Sequence, residues 1–312
     1  MTPGKTAGNC FSAVFLFLPL VPAIPLQFLR EPWSVPLRSS NKLVFVAIDN
    51  LISTSGKPVT GFQDFLAGLE EANLPCVWLS SRNRHELDSA IRKLGHAAPF
   101  IAEGGSGVYL PEDYFHLKPA HTIRFARFTV IPVATPQPAA AEALDQLAED
   151  TGIEAVALRT LSPRELSQSV GLPQREAELL RQRDFDEFFF FAGASDGEIR
   201  EFQAETARQG LGLRPRGNLW SLVVGASLAI CIRQLTALYE RATRAHPFTI
   251  AVASSEEAPE LFPSCNRAIL LTDRSSASSL ADLSARASLF SLPRFAPNTW
   301  ETALESILAK RV

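Results

Sequence analysis

Six consecutive residues, Leu43-Val44-Phe45-Val46-Ala47-Ile48, are apolar without exception, and the run stops at Asp49. Nothing in them recurs at helical spacing, and apolar side chains at every position are what a strand buried on both faces requires. Such strands belong to parallel sheets covered by helices, so the chain must go on to supply further strands and crossover helices. In open sheets of this kind ligands bind just beyond the carboxyl ends of central strands. Asp49 stands at that point, either as a site carboxylate or as an ordinary loop or helix-capping residue.

From residue 42 onward strand and helix alternate as in a doubly wound α/β sheet. A helix is predicted over 61–72, with Phe62, Phe65, Leu66 and Leu69 on one face. A second buried strand over 74–79 ends in Ser80-Ser81-Arg82 and leads to a helix reaching Leu94. Hydroxyls and an arginine at a strand end form an anion cradle, or Ser80 simply caps the helix. A third strand, 99–102, runs into Glu103-Gly104-Gly105-Ser106-Gly107, read as a β-hairpin at the edge of the first domain. These glycines precede a strand, unlike the phosphate loops that open a helix.

Beyond residue 112 the alternation breaks down. A single strand is predicted over 122–132, then helices over 138–149, 163–170 and 174–183, an aromatic strand over 188–192, a helix over 198–209 and two pairing strands up to residue 224. Single alternation then returns with a helix over 227–241, strands over 248–253 and 267–271, and a closing helix over 299–309. The chain therefore reads as a mostly parallel α/β core, 42–112 plus 225–312, carrying an inserted α+β unit, 113–224.

Residues 1–41 differ from the rest. Lys5 precedes an apolar stretch from Cys10 to Leu29 that Pro19, Pro22 and Pro25 interrupt, which argues against a straight spanning helix. The segment is a loose extension, a membrane-associating tail or a cleaved signal. The formal net charge of -3 leaves no basic surplus for a nucleic-acid backbone. Cys10, Cys76, Cys231 and Cys265 lie far apart, without the spacing of a zinc site or a disulfide framework. Free thiols in the cytoplasm are expected.

Pro99-Phe100-Ile101-Ala102-Glu103-Gly104-Gly105 with Val108-Tyr109-Leu110-Pro111, Gly171-Leu172 with Glu176-Ala177, Arg183-Asp184-Phe185-Asp186-Glu187, and Leu235 with Tyr239 carry a resemblance. The chain is similar to haloacid-dehalogenase-type phosphatases with an α+β cap, and within them to the mannosyl-3-phosphoglycerate phosphatase family. The likeness runs from Lys42 nearly to the carboxyl terminus and implies a core sheet with an inserted cap. It also implies an aspartate nucleophile after the first strand, an acid/base aspartate two residues later, a phosphate-binding hydroxyl, a late-helix lysine and a magnesium-binding acidic loop.

Carried over residue by residue, that machinery is depleted. The nucleophile position is Ala47, whose methyl group cannot attack phosphorus, while the acid/base position is Asp49. Asn50 and Leu51 replace glycine and threonine. Ser80 matches the hydroxyl, Leu228 falls at the lysine, and Ala253-Ser254-Ser255-Glu256-Glu257 replaces the metal loop. Glu256 and Glu257 are then the remaining candidates to hold Mg²⁺. The expected reading is a degenerate phosphatase without a metal cofactor, binding a phosphorylated sugar or a protein partner through Asp49, Asn50, Ser80, Arg82, Arg183 and Glu187. Two alternatives stay open: an Mg²⁺-dependent phosphatase using Asp49 in a shifted register, or a structural subunit of an active enzyme. No nucleic acid is expected as partner, and any membrane contact would come from the N-terminal stretch.

Overall fold

A computed structural model describes residues 41–53, 56–96, 98–272 and 288–309. The N-terminal extension and Cys10 lie outside the described residues. The opening run forms β1 (Lys42–Ala47), and its two faces enter different cores. Val44, Val46 and Ile48 pack with the first, while Leu43, Phe45 and Ala47 pack with the second. Period-two alternation between two apolar layers is why the run tolerates no polar residue.

The chain continues as α1 (Phe62–Glu71), β2 (Cys76–Leu79), α2 (Arg84–Leu94), β3 (Phe100–Ala102), β4 (Gly107–Pro111), β5 (Ile123–Phe125) and β6 (Phe128–Pro132). A second unit follows: α3 (Gln137–Thr151), β7 (Ala155–Ala157), α4 (Pro163–Val170), α5 (Gln174–Leu180), β8 (Glu187–Phe191), α6 (Asp196–Arg208), β9 (Gly212–Arg216) and β10 (Leu219–Val223). The return comprises α7 (Leu228–Thr243), β11 (Phe248–Ser254), α8 (Ala258–Leu261), β12 (Arg267–Thr272), β13 (Ser288–Pro293) and α9 (Thr299–Leu308).

The large sheet has the order β13-β12-β11-β1-β2-β3-β4-β6-β5, parallel from β13 to β3 and antiparallel beyond. Helices α1, α2 and α9 cover one face and α7 and α8 the other. The chain winds outward from β1 through β2 and β3, then returns on its other side through β11, β12 and β13. β1 and β11 therefore flank the switch point, where the loops after neighbouring strands diverge and open a crevice. The smaller sheet, β7-β8-β10-β9, packs α3 and α6 on one face and α4 and α5 on the other.

Three expectations need correcting. The segment 122–132 is a hairpin, turned at Ala126 with φ 51°, instead of one strand. Its strands β5 and β6 extend the large sheet through β4, so the Glu103–Gly107 turn is no domain edge and the inserted unit starts after Pro132. The helix at 84 is capped by Asn83 in a capping box with Glu86, which leaves Ser80 for other work. Strands β7 and β13 do not stand out in the sequence, being a three-residue segment and an edge strand ending in proline. Among the described residues no helix is long and apolar enough to cross a membrane. Cys76, Cys231 and Cys265 are free and buried, and burial pushes each thiol up to about 12, which makes them packing residues.

Both chain crossings between the units are pinned at one place. The Thr135 amide donates to Val224 O (2.9 Å), Val133 N to Ser106 O (2.9 Å) and Ser227 N to Gly105 O (3.0 Å). Gly105 has φ +95°, and a Cβ there would sit 2.6 Å from the backbone nitrogen of Leu228. Gly105→Ala should therefore lower stability by about 1–3 kcal/mol. Gly152→Ala, also at positive φ but with no atom within 4 Å, should cost less; denaturant unfolding of both variants measures the difference.

Candidate active-site cleft

Ala47 pairs in register with Leu79, and Ile48 N donates to Leu79 O (3.0 Å), so the ends of β1 and β2 stand level. This brings Asp49 against Ser80 and Ser81 across the strand ends. One Asp49 carboxylate oxygen accepts from the Ser80 hydroxyl, and the other accepts from the Ser81 amide at 2.8 Å. The Ser80 oxygen also accepts from Arg82 N at 3.0 Å. Both oxygens of the acid and the hydroxyl expected to hold phosphate are thus bonded to one another or to backbone.

These residues line a cleft of about 400 Å³. Its floor is apolar: Ala47, Leu79, Ile101, Leu228 and Leu261. Glu256 and Glu257, which follow β11, reach inward on one side, so the acids considered at sequence level do converge on the Asp49 region. They are held by an amide. Asn50 Nδ2 lies 3.1 Å from Ser254 Oγ, 3.1 Å from Glu256 Oε2 and 3.1 Å from Glu257 Oε1, two hydrogens shared among three acceptors. Ser254 Oγ donates in turn to Glu257. Burial raises the Glu257 pKa, the Asp49 charge adds to the rise, and the Ser254 hydrogen bond opposes it.

Another part of the wall comes from the second sheet. Arg214 and Arg216, at i and i+2 of edge strand β9, reach the cleft with Pro215, which an edge strand tolerates. Arg214 donates to Gly104 O at 2.6 Å and pairs with Glu260 at 3.2 Å. Gly104 sits at φ +63°, which favours glycine, and a Cβ there would lie 2.1 Å from Arg214 Nη1 and push that guanidinium aside. Sequence reasoning missed both arginines, which lie more than 160 residues from Asp49. The alternation Arg-Pro-Arg before Gly217-Asn218 was the available signal.

No family model matches the chain. It is 25% identical over 173 residues to a glucosyl-3-phosphoglycerate/mannosyl-3-phosphoglycerate phosphatase of Methanococcoides burtonii, a match covering 55% of this chain and 63% of that protein. It is 23% identical over 149 residues to a mannosyl-3-phosphoglycerate phosphatase of Pyrococcus furiosus, covering 48% and 60%. The matched parts thus span about three-fifths of these relatives' own length. Among solved structures, a haloacid dehalogenase-like hydrolase from Bacteroides thetaiotaomicron superposes with TM-score 0.57 at 12% identity, covering 86% of this chain and 99% of that one. A haloacid dehalogenase subclass IIB sugar phosphatase superposes with TM-score 0.54 at 12% identity, covering 86% and 100%. The fold is that of the haloacid-dehalogenase-like hydrolases.

Three residues expected at the ligand lie elsewhere in this dehalogenase-like fold. Arg82 lies outside the cleft lining and clamps the loop after β1, donating to Asp49 O (3.3 Å), Ser53 O (3.3 Å) and Ile52 O, with its Nε 3.9 Å from the Asp49 carboxylate. Arg183 forms a buried two-point pair with Asp186 (2.5 and 2.9 Å), donates to Ser81 O (2.9 Å) and lies 4.0 Å from the Phe188 ring centroid. Glu187 is buried against Gln137, with Arg159 at 3.7 Å. All three are interior polar groups that needed partners, and the protein supplies most of them, Arg183 Nη1 being left with only Glu86 at 4.0 Å.

Arg183 belongs to a junction that ties the small sheet's unit to the core. Glu103 accepts from the amides of Asp184 (2.9 Å), Phe185 (2.9 Å) and Asp186 (3.0 Å), while Asp184 receives Arg84 (2.8 and 3.1 Å) and the Tyr109 hydroxyl (2.7 Å). Burial, reinforced by the Asp186 charge, pushes Glu103 up to about 8. Burial likewise pushes Glu187 up to about 7 against the Gln137 hydrogen bond and the Arg159 charge. Carboxyls raised from 4.5 bind protons more tightly in the native state, so their contribution is complete below the unfolded value and is lost as pH rises through 7 and 8. The melting temperature should fall between about pH 5 and pH 8 through these groups. Glu187→Gln should make the fall shallower, and an unchanged slope in thermal scans would contradict the assignment.

Proposed function

We propose that the chain is a hydrolase-fold protein that has lost phosphoryl transfer and uses its cleft to bind a small molecule. The observation that supports this best is the apolar floor where the related phosphatases gather charge. A methyl group faces the cleft at position 47 and an isobutyl group at position 228, with Asp49 already bonded through both oxygens. Phosphoryl transfer through an aspartyl intermediate needs a carboxylate free to attack and charge to neutralise the oxygens of the transition state.

The residues present do not fit the magnesium ion that the family resemblance implies. Hard cations take oxygen ligands at an open position. Here an amide directs N–H donors into the space among Ser254, Glu256 and Glu257. Among the described residues no group of three or more His, Cys, Asp or Glu side chains is placed to hold a metal ion. The Asn50 amide instead shares out its hydrogens among the acids, doing locally what a cation would otherwise do by charge.

A phosphorylated sugar finds few donors in this arrangement, because Ser80 serves Asp49 and Arg82 serves backbone carbonyls. One observation favours the shifted-register phosphatase: Asp49, Glu256 and Glu257 do line the same cleft. Measuring phosphate release with Mg²⁺ from mannosyl-3-phosphoglycerate and a panel of sugar phosphates separates the two. The binding reading predicts turnover on the order of 10⁴-fold or more below an intact phosphatase, unchanged by Asp49→Asn. Release that requires Mg²⁺ and is abolished by Asp49→Asn would establish the catalytic reading instead.

A further inference from the structure

The cleft contains one guanidinium that has no hydrogen-bond or ion-pair partner among the described residues. The Arg216 side chain makes no hydrogen bond or ion pair to any described residue, its Nε is shut off from solvent without a partner, and the residue as a whole is half-buried. Arg214, two residues away, is satisfied by Gly104 and Glu260. Desolvating a guanidinium without a partner is costly, and such groups in folded proteins are normally paired. Burial lowers the Arg216 pKa, and the charge of Asp49, which itself has Arg82 Nε at 3.9 Å, counters this.

The remaining surfaces narrow the ligand. Asp49, Glu256 and Glu257 line the cleft with one unpaired guanidinium, Arg216, while Glu260 and Arg214 offset each other, so its charge is net negative. A phosphate dianion would gain Arg216 and meet three carboxylates. A simple amine would leave Arg216 unsatisfied. The floor of Ala47, Leu79, Ile101, Leu228 and Leu261 offers hydrocarbon contact and no hydrogen bonds from side chains.

We propose that the cleft receives a small zwitterion with an apolar body, the chemical class of the aliphatic and aromatic α-amino acids. The carboxylate meets Arg216, the ammonium faces Glu256 and Glu257, and the side chain lies on the apolar floor. A cleft of about 400 Å³ accommodates a molecule of this size. The assignment rests on the non-hydrolytic reading given above.

Calorimetric titration of the full chain with L-leucine and L-phenylalanine tests it, alongside 3-phenylpropionate, phenethylamine and inorganic phosphate. Leucine or phenylalanine should bind, with 3-phenylpropionate and phenethylamine each weaker than phenylalanine by roughly tenfold or more. Arg216→Gln should weaken amino-acid binding by roughly tenfold or more, while the ligand-free variant melts no lower than the parent, because it has lost only an unpaired, partly desolvated charge. No binding of either amino acid at about 10 mM, equal binding of phenylalanine and either truncated probe, or unchanged affinity in Arg216→Gln would overturn the proposal. Magnesium-dependent phosphate release would overturn the underlying non-hydrolytic reading. Absence of both release and amino-acid binding would overturn the ligand class alone.

Discussion

Burial of β1 on both faces is the constraint from which the cleft follows. Because Leu43, Phe45 and Ala47 must face the α7 layer while Val44, Val46 and Ile48 face the α1 layer, the strand cannot slip by one residue without exchanging two cores. The pleat therefore fixes Ala47 at the cleft floor and delivers Asp49 just beyond the strand end, level with Ser80. β11 lies on the other side of β1, so the Glu256–Glu257 loop arrives at the same place from the return limb. One strand thus decides which side chains meet.

What those side chains do is governed by desolvation. Polar groups brought into a partly dry crevice need partners, and here the protein provides most of them internally: Asp49 from Ser80 and Ser81, Glu257 from Asn50 and Ser254, Arg214 from Gly104 and Glu260. A preorganised active site keeps such groups unfilled for the transition state. Filling them internally favours a settled structure over chemistry, and Arg216 stands out because its guanidinium is left open.

Much of the fold was legible because its signals are local. The apolar run, the Ser162 capping position and the glycine at 171 announce strands and helices through neighbouring residues alone. The misreadings were questions of which sheet a strand joins. β5 and β6 look like part of the second unit by position, yet their hydrogen bonds go to β4, and sequence order carries no record of that choice. At the cleft, Asp49, Ser80, Ala47 and Leu228 could be placed through the register of their strands and helix. Arg82, Arg183 and Glu187 could not, since a charged residue near a predicted site reads alike whether it serves a ligand or the interior. Arg214 and Arg216 come from a strand whose approach to the core depends on how the two crossing segments are pinned at Gly105 and Ser106.

The central claim is that the cleft no longer supports attack on phosphorus. A crystal structure grown with Mg²⁺ and beryllium fluoride, which adds to carboxylates that act as phosphoryl acceptors, tests it most directly. The account predicts no fluoride adduct on any cleft carboxylate, with the Asn50 amide still bonded to Glu256 and Glu257. A beryllofluoride group on Asp49 beside a magnesium ion held by those glutamates would contradict it.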